Sequence, residues 1–172
     1  MKNKVFATLV LSIVLLAACG GTKEENLGGN GSTDKTETTN NNTAKEGEVA
    51  QDINEVIVDN ENLKATLVRI VKKSDDIIGN SYEVIFDVEN KRKDSIEVQA
   101  RDVSADGRMI EETLLSMSQN VAAGKTAKAT LSIMEYEGYE FPELNNDFEM
   151  KLHIFSWDDY EWSEDHPVKV TF

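Results

Sequence analysis

The sequence predicts an all-β fold: an antiparallel β-sandwich of about seven or eight strands, preceded by a linker expected to be disordered. Two observations carry this reading. Apolar and polar residues alternate with a period of two in at least five separate runs, and turn-forming residues interrupt the chain about every ten residues. A third observation sharpens it, because the Asp106-Gly107 pair suits a type I′ hairpin, whose two central positions both need positive φ.

The runs follow in order. Val56-Ile57-Val58 opens the folded part. Residues 63–71 form a second strand, in which the apolar parity changes between Leu67 and Val68 and so predicts a β-bulge. Tyr82, Val84, Phe86 and Val88 alternate with Glu83, Ile85, Asp87 and Glu89. The same alternation sets Ile96, Val98 and Ala100 on one face, then Ala127, Ala129, Leu131 and Ile133. It recurs with Phe148, Met150, Leu152 and Ile154, and finally with Val168, Val170 and Phe172. Residues 59–62, 74–80, 90–94, 106–107 and 123–125 supply the turns. Residues 110–117 have an ambiguous spacing that also accommodates a short helix.

The first residues carry a different message. Lys2 and Lys4 precede an apolar run over residues 5–18, broken only by Thr8 and Ser12. That run is shorter than the ~20 residues a membrane-spanning helix needs, and it has the layout of a secretory signal. Leu16-Ala17-Ala18-Cys19 resembles the bacterial lipobox. The resemblance implies cleavage after Ala18, a diacylglyceryl group on Cys19, and a protein held on the extracytoplasmic side of a cell membrane. Cys19 is the single cysteine of the chain, so no internal disulfide can form and the domain must rely on its core.

Residues 1–18 therefore read as a signal peptide, 19–54 as the lipidated cysteine and a linker, and 55–172 as one domain. The linker is rich in Gly, Asn, Thr, Ser, Lys and Glu, with no aromatic residue, and cannot bury enough apolar surface to offset its ordering entropy. Its mean reach as a flexible chain is roughly 30 Å. The formal net charge of −14 argues against nucleic acid, whose phosphates demand a basic patch. It also argues against adsorption to anionic headgroups, and it favours cationic partners.

Tyr82-Glu83-Val84-Ile85-Phe86-Asp87-Val88-Glu89-Asn90, then Asp102-Val103-Ser104-Ala105-Asp106-Gly107, then Val121-Ala122-Ala123-Gly124-Lys125 follow one another in an order that resembles the uncharacterised immunoglobulin-like domains of Gram-positive lipoproteins. The resemblance covers residues 56–172 and implies a β-sandwich outside the cell membrane. It carries no catalytic residue across.

Motifs for chemistry are few. Neither H-E-x-x-H nor G-x-S-x-G occurs; His153 falls on the polar face of its strand, and His166 is expected in a loop before Pro167. No catalytic residue and no cofactor are assigned, and a non-enzymatic domain is expected, with an enzyme a distant third reading. Asp102, Ser104 and Asp106, with Gly107 following, match positions one, three, five and six of a calcium loop. Position twelve is Thr113, however, with Glu111 and Glu112 falling early, and Asp106-Gly107 is equally explained as a hairpin turn.

The sharpest regional signal lies late in the chain. Residues 134–166 hold eleven acids against one base, Lys151, and eight of the twelve aromatics. Within them the run Trp157-Asp158-Asp159-Tyr160-Glu161-Trp162 is the candidate binding segment, suited to a cationic protein, peptide or small molecule through ring faces and carboxylates. The alternative is a satellite core, with Trp157 and Trp162 folded inward and the acids solvating a turn. For the chain as a whole, a display module for a partner stands beside a calcium-dependent or purely structural envelope domain.

Overall fold

A computed structural model describes residues 47–172. The expected signal peptide, Cys19 and the expected linker up to residue 46 lie outside the described residues. Ten strands run in order: β1 (Glu48–Asp59), β2 (Leu63–Asp75), β3 (Gly79–Asn90), β4 (Ile96–Ala105), β5 (Arg108–Met109), β6 (Leu115–Ser116), β7 (Gln119–Val121), β8 (Thr126–Met134), β9 (Asp147–Phe155) and β10 (Ser163–Thr171). Seven are nine residues or longer and three are short. The described residues contain no α-helix, and none of their segments is a helix long and apolar enough to cross a membrane.

One sheet has the order β1-β2-β3-β8-β6 and the other β10-β9-β4-β5, with β7 also on β4. All pairings are antiparallel. Leaving β1 and the short β5 and β7 aside, β2-β3-β8-β6 facing β4-β9-β10 is the four-plus-three arrangement of a constant-type immunoglobulin sandwich. The fold is therefore an immunoglobulin-like β-sandwich with one strand added outside the first. Its two middle strands, β3 and β9, are joined by packing rather than by a disulfide.

Period-two alternation builds that packing. Tyr82, Val84, Phe86 and Val88 of β3 are buried, as are Phe148, Met150, Leu152 and Ile154 of β9. With Ala129, Leu131 and Ile133 of β8 and Val168 and Val170 of β10 they join one core cluster. Val68 is the bulged residue of β2, since the register passes from Leu67↔Phe86 to Arg69↔Ile85. Asp106 and Gly107 have φ of 50° and 74°, the positive pair that the hairpin between β4 and β5 requires.

Several expectations need correction. β1 begins at Glu48, so residues 48–54 are strand rather than linker. They pair with β2 at a sheet edge, where neither face is deeply buried, and the polar sequence gives no alternation to see. Asn54, with φ of 57°, sits at an irregularity of that pairing. Phe172 is 41% exposed instead of buried. His166 lies within β10 and not in a loop. Residues 110–117 make a 3-10 turn (Glu112–Leu114) and the short β6.

β4 also contains an unanticipated bulge, between Arg101 and Ser104. Asp102 has φ of 51° there, and the buried positions pass from Ile96 and Val98 to Val103 and Ala105.

Connections collect at two poles. At the near pole, Gly47 at the start of β1 accepts the Ser74 N–H, Asp106 donates its N–H to Asp147, and Phe172 donates to Asn146. At the far pole, Lys91 donates its N–H to Asn62 and Asn90 to Lys125. The loops 135–146 and 156–162 leave opposite ends of β9, separated by its length of roughly 30 Å at about 3.3 Å per residue.

Candidate interaction site

The far-pole loop 156–162 is anchored from beneath. Ser156 is buried. Its hydroxyl is shared between Asp94 Oδ2 at 2.6 Å and the Ser95 carbonyl at 2.9 Å, and its oxygen accepts the Asp158 N–H at 3.1 Å. The Trp162 N–H closes the turn on the Asp159 carbonyl at 3.1 Å.

The neighbouring loop between β3 and β4 is fixed by Asn90, a fully buried side chain. Its amide donates to the carbonyls of Asp94 (2.8 Å) and Val121 (2.9 Å), while its oxygen accepts the Arg92 N–H (2.9 Å). An unpaired amide in that position would cost the desolvation of each group, so the three bonds specify the loop.

Arg92 connects the two loops. Its fork closes on Asp94 at 2.9 and 3.0 Å, and Nη2 also reaches Asp159 at 3.0 Å. Its Cζ stands 4.0 Å from the centroid of the Trp162 ring. Asp94, and then Asp159, hold the guanidinium's pKa above its ordinary value. Arg92 and then the Ser156 hydroxyl hold the Asp94 carboxyl below the usual range.

The six predicted residues therefore divide. Trp162 is half-buried against the core and covered by Arg92, and Asp159 is ion-paired. Trp157 and Tyr160 point the other way, 59% and 83% exposed. The satellite-core reading holds for one tryptophan and fails for the other. Among the described residues, Asp158 and Glu161 form no ion pair with a basic side chain.

Trp157 continues the outward parity of β9. Phe155 and Trp157 meet edge to face at 4.9 Å and 81°, and Trp157 and Tyr160 at 6.3 Å and 75°. His153 lies 5.3 Å from Phe155 on the same side, its Nδ1 2.6 Å from Asp165 Oδ1. Phe155, Arg92 and Asp94 were not singled out from sequence. The one available signal was the basic run Lys91-Arg92-Lys93 in an acidic chain.

The candidate calcium residues are otherwise engaged. Asp106 accepts the N–H groups of Asn146 (2.7 Å), Asp147 (2.9 Å) and Asn145 (3.4 Å). The Asp147 and Asn146 bonds come first in holding its pKa below the usual carboxylate value. Asp102 pairs with Lys151 at 2.7 Å. Ser104 lies beyond the β4 bulge, and Glu112 starts the 3-10 turn. No group of three or more metal-binding side chains converges among the described residues.

At the near pole a concavity of about 550 Å³ lies between the β4–β5 hairpin and the loop 135–146. An exposed Arg108–Glu140 pair at 3.0 Å lies at its rim.

No protein-family profile matches the chain, and no curated protein matches it in sequence. Among solved structures, it is similar to a FixG-related protein from Vibrio parahaemolyticus at 9% identity, over 66% of this chain and 97% of that one, with a TM-score of 0.35. It is similar also to a conserved hypothetical protein from Bacillus anthracis at 12% identity, over 71% and 99%, with a TM-score of 0.32. Neither likeness bears on function.

Proposed function

We propose that the chain is a membrane-anchored extracytoplasmic lipoprotein, held through lipid on Cys19. Its sandwich displays a non-enzymatic binding surface for a cationic protein, peptide or small molecule on loop 157–162. The observation that carries the binding reading is the outward-facing Phe155–Trp157–Tyr160 ladder, whose last two rings are exposed. Large rings left in water forgo about 25 cal/mol for each Å² of apolar surface they could bury, and Trp and Tyr are enriched among residues that dominate interfaces.

Two further features support it. The ladder lies at the pole opposite the start of β1. Asp158 and Glu161 add negative charge without an internal counter-ion among the described residues, which favours a cationic partner and quickens encounter at low salt. The anchoring half rests on the Leu16-Ala17-Ala18-Cys19 motif.

Two experiments test the two halves. Cys19→Ser should release the protein from the membrane fraction, or leave it unprocessed; mature variant protein still in that fraction would refute anchoring. A photo-crosslinking residue at position 160 in the full chain should trap an envelope component that one at position 139, on the near pole, does not. Equal trapping at both positions, or none at 160, would remove the loop from the account.

A further inference from the structure

The far-pole loop already holds one guanidinium, and the manner of holding points to what it takes from outside. Arg92 is covered on one face by the Trp162 indole at 4.0 Å, while its edge nitrogens meet the carboxylates of Asp94 and Asp159 at 2.9 to 3.0 Å. A planar cation needs just these two things at once: a ring face for its flat side and acceptors in its plane. The same parts recur along the loop without a cation. Trp157 and Tyr160 are exposed rings 6.3 Å apart at 75°. Asp158 lies between them in sequence and Glu161 directly follows, both exposed.

We infer that Trp157, Tyr160, Asp158 and Glu161 form a receptor for an arginine side chain of a partner polypeptide. The inference rests on the reading of this loop as a binding surface and names the group bound. A guanidinium suits it better than an ammonium, because it is more weakly hydrated and can stack while its donors stay free for carboxylates. The platform is also set before binding. Phe155, part of β9, meets Trp157 at 4.9 Å and 81°, and the Ser156 and Trp162 bonds fix the turn. Little ordering is left to oppose association.

Calorimetry on the full chain tests this with two capped peptides of equal length and charge, one a Gly–Arg repeat and the other a Gly–Lys repeat. The arginine peptide should bind about tenfold more tightly, a difference of about 1.4 kcal/mol. The advantage should vanish in Trp157→Ala/Tyr160→Ala, which keeps every carboxylate. If that variant melts early, Asp158→Asn/Glu161→Gln probes the same receptor from its charged side and should lower arginine-peptide affinity about tenfold.

Equal affinities for the two peptides, both lost in the double alanine variant, would overturn the guanidinium assignment and keep the loop as a cation-binding surface. Affinities that none of these substitutions changes would show diffuse attraction to an acidic domain and overturn the receptor. Binding by neither peptide would overturn it as well, and the crosslink at position 160 would then report whether the loop has a partner of other chemistry.

Discussion

Loops 135–146 and 156–162 have the same raw material, aromatic residues among acids, and each draws one ring inward and leaves two outside. Tyr136 and Tyr139 of the first, however, are less exposed (45% each) than Trp157 and Tyr160 of the second. In the near-pole loop Phe141 turns inward and stacks on the buried Tyr82 ring at 5.2 Å and 3°. Leu144 packs against the core, and Glu135 accepts the Asn80 backbone N–H at 2.8 Å and its side-chain amide at 2.7 Å. In the far-pole loop only Trp162 is drawn in, and Trp157 and Tyr160 remain in solvent. Composition alone does not separate ring clusters that close a sandwich from those that face a partner. Contacts do: Trp157 continues the outward side of β9, whereas Phe141 meets a ring on the inward side of β3.

Substitutions separate the two loops. The largest effect is expected where the near-pole loop enters β9. Phe148→Ala should destabilise by about 3–5 kcal/mol in chemical denaturation, as for large core aromatics. Phe141→Ala, half-buried but stacked, should cost roughly 2 kcal/mol. An effect below about 0.5 kcal/mol would place that loop on the same footing as the far one. Trp162→Ala should cost about 1–2 kcal/mol, because Arg92 loses its ring and the core a partial contact.

Acidification probes both poles. Backbone N–H donors hold Asp75 and Asp106 low at the near pole, and Arg92 holds Asp94 low at the far one. For Glu164, burial opposes ionisation, but Asn60, Asn62 and His166 outweigh it and the net shift is downward. Folded pKa values below the unfolded ones mean stability that is present above about pH 4 and lost as pH falls through the folded values. Relief of repulsion among the many acids acts in the other direction, so a variant isolates the effect. Asp106→Asn should melt below wild type at pH 6, and the two melting curves should converge near pH 2. A constant gap would mean the charge contributes nothing.

Much of the sandwich was legible because a one-face-buried strand writes its burial into alternate residues. β3, β8 and β9 are direct cases, and the Val68 bulge and the Asp106-Gly107 turn were visible for equally local reasons. Residues 48–54 were not, since an edge strand with no buried face leaves no pattern. The β4 bulge did have an apolar marker, the change of parity from Ile96 and Val98 to Val103 and Ala105, but it falls where Asp102 to Gly107 also read as a loop. Within the candidate site, the six-residue run was legible as composition. Its division into a covered Trp162 and an open Trp157 was not, because that depends on Arg92, which a different loop delivers after long-range pairing of β4 with β9.

The central claim is that Trp157 and Tyr160 are held open for a partner rather than for the fold, and the full-chain Trp157→Ala/Tyr160→Ala variant tests it most directly. Thermal melting is followed alongside co-purification of the partner identified by the crosslink at position 160. The account predicts stability within about 0.5 kcal/mol of wild type, as for surface changes, with partner recovery lost. A fall in melting temperature comparable to that of Phe141→Ala, with recovery unchanged, would contradict it.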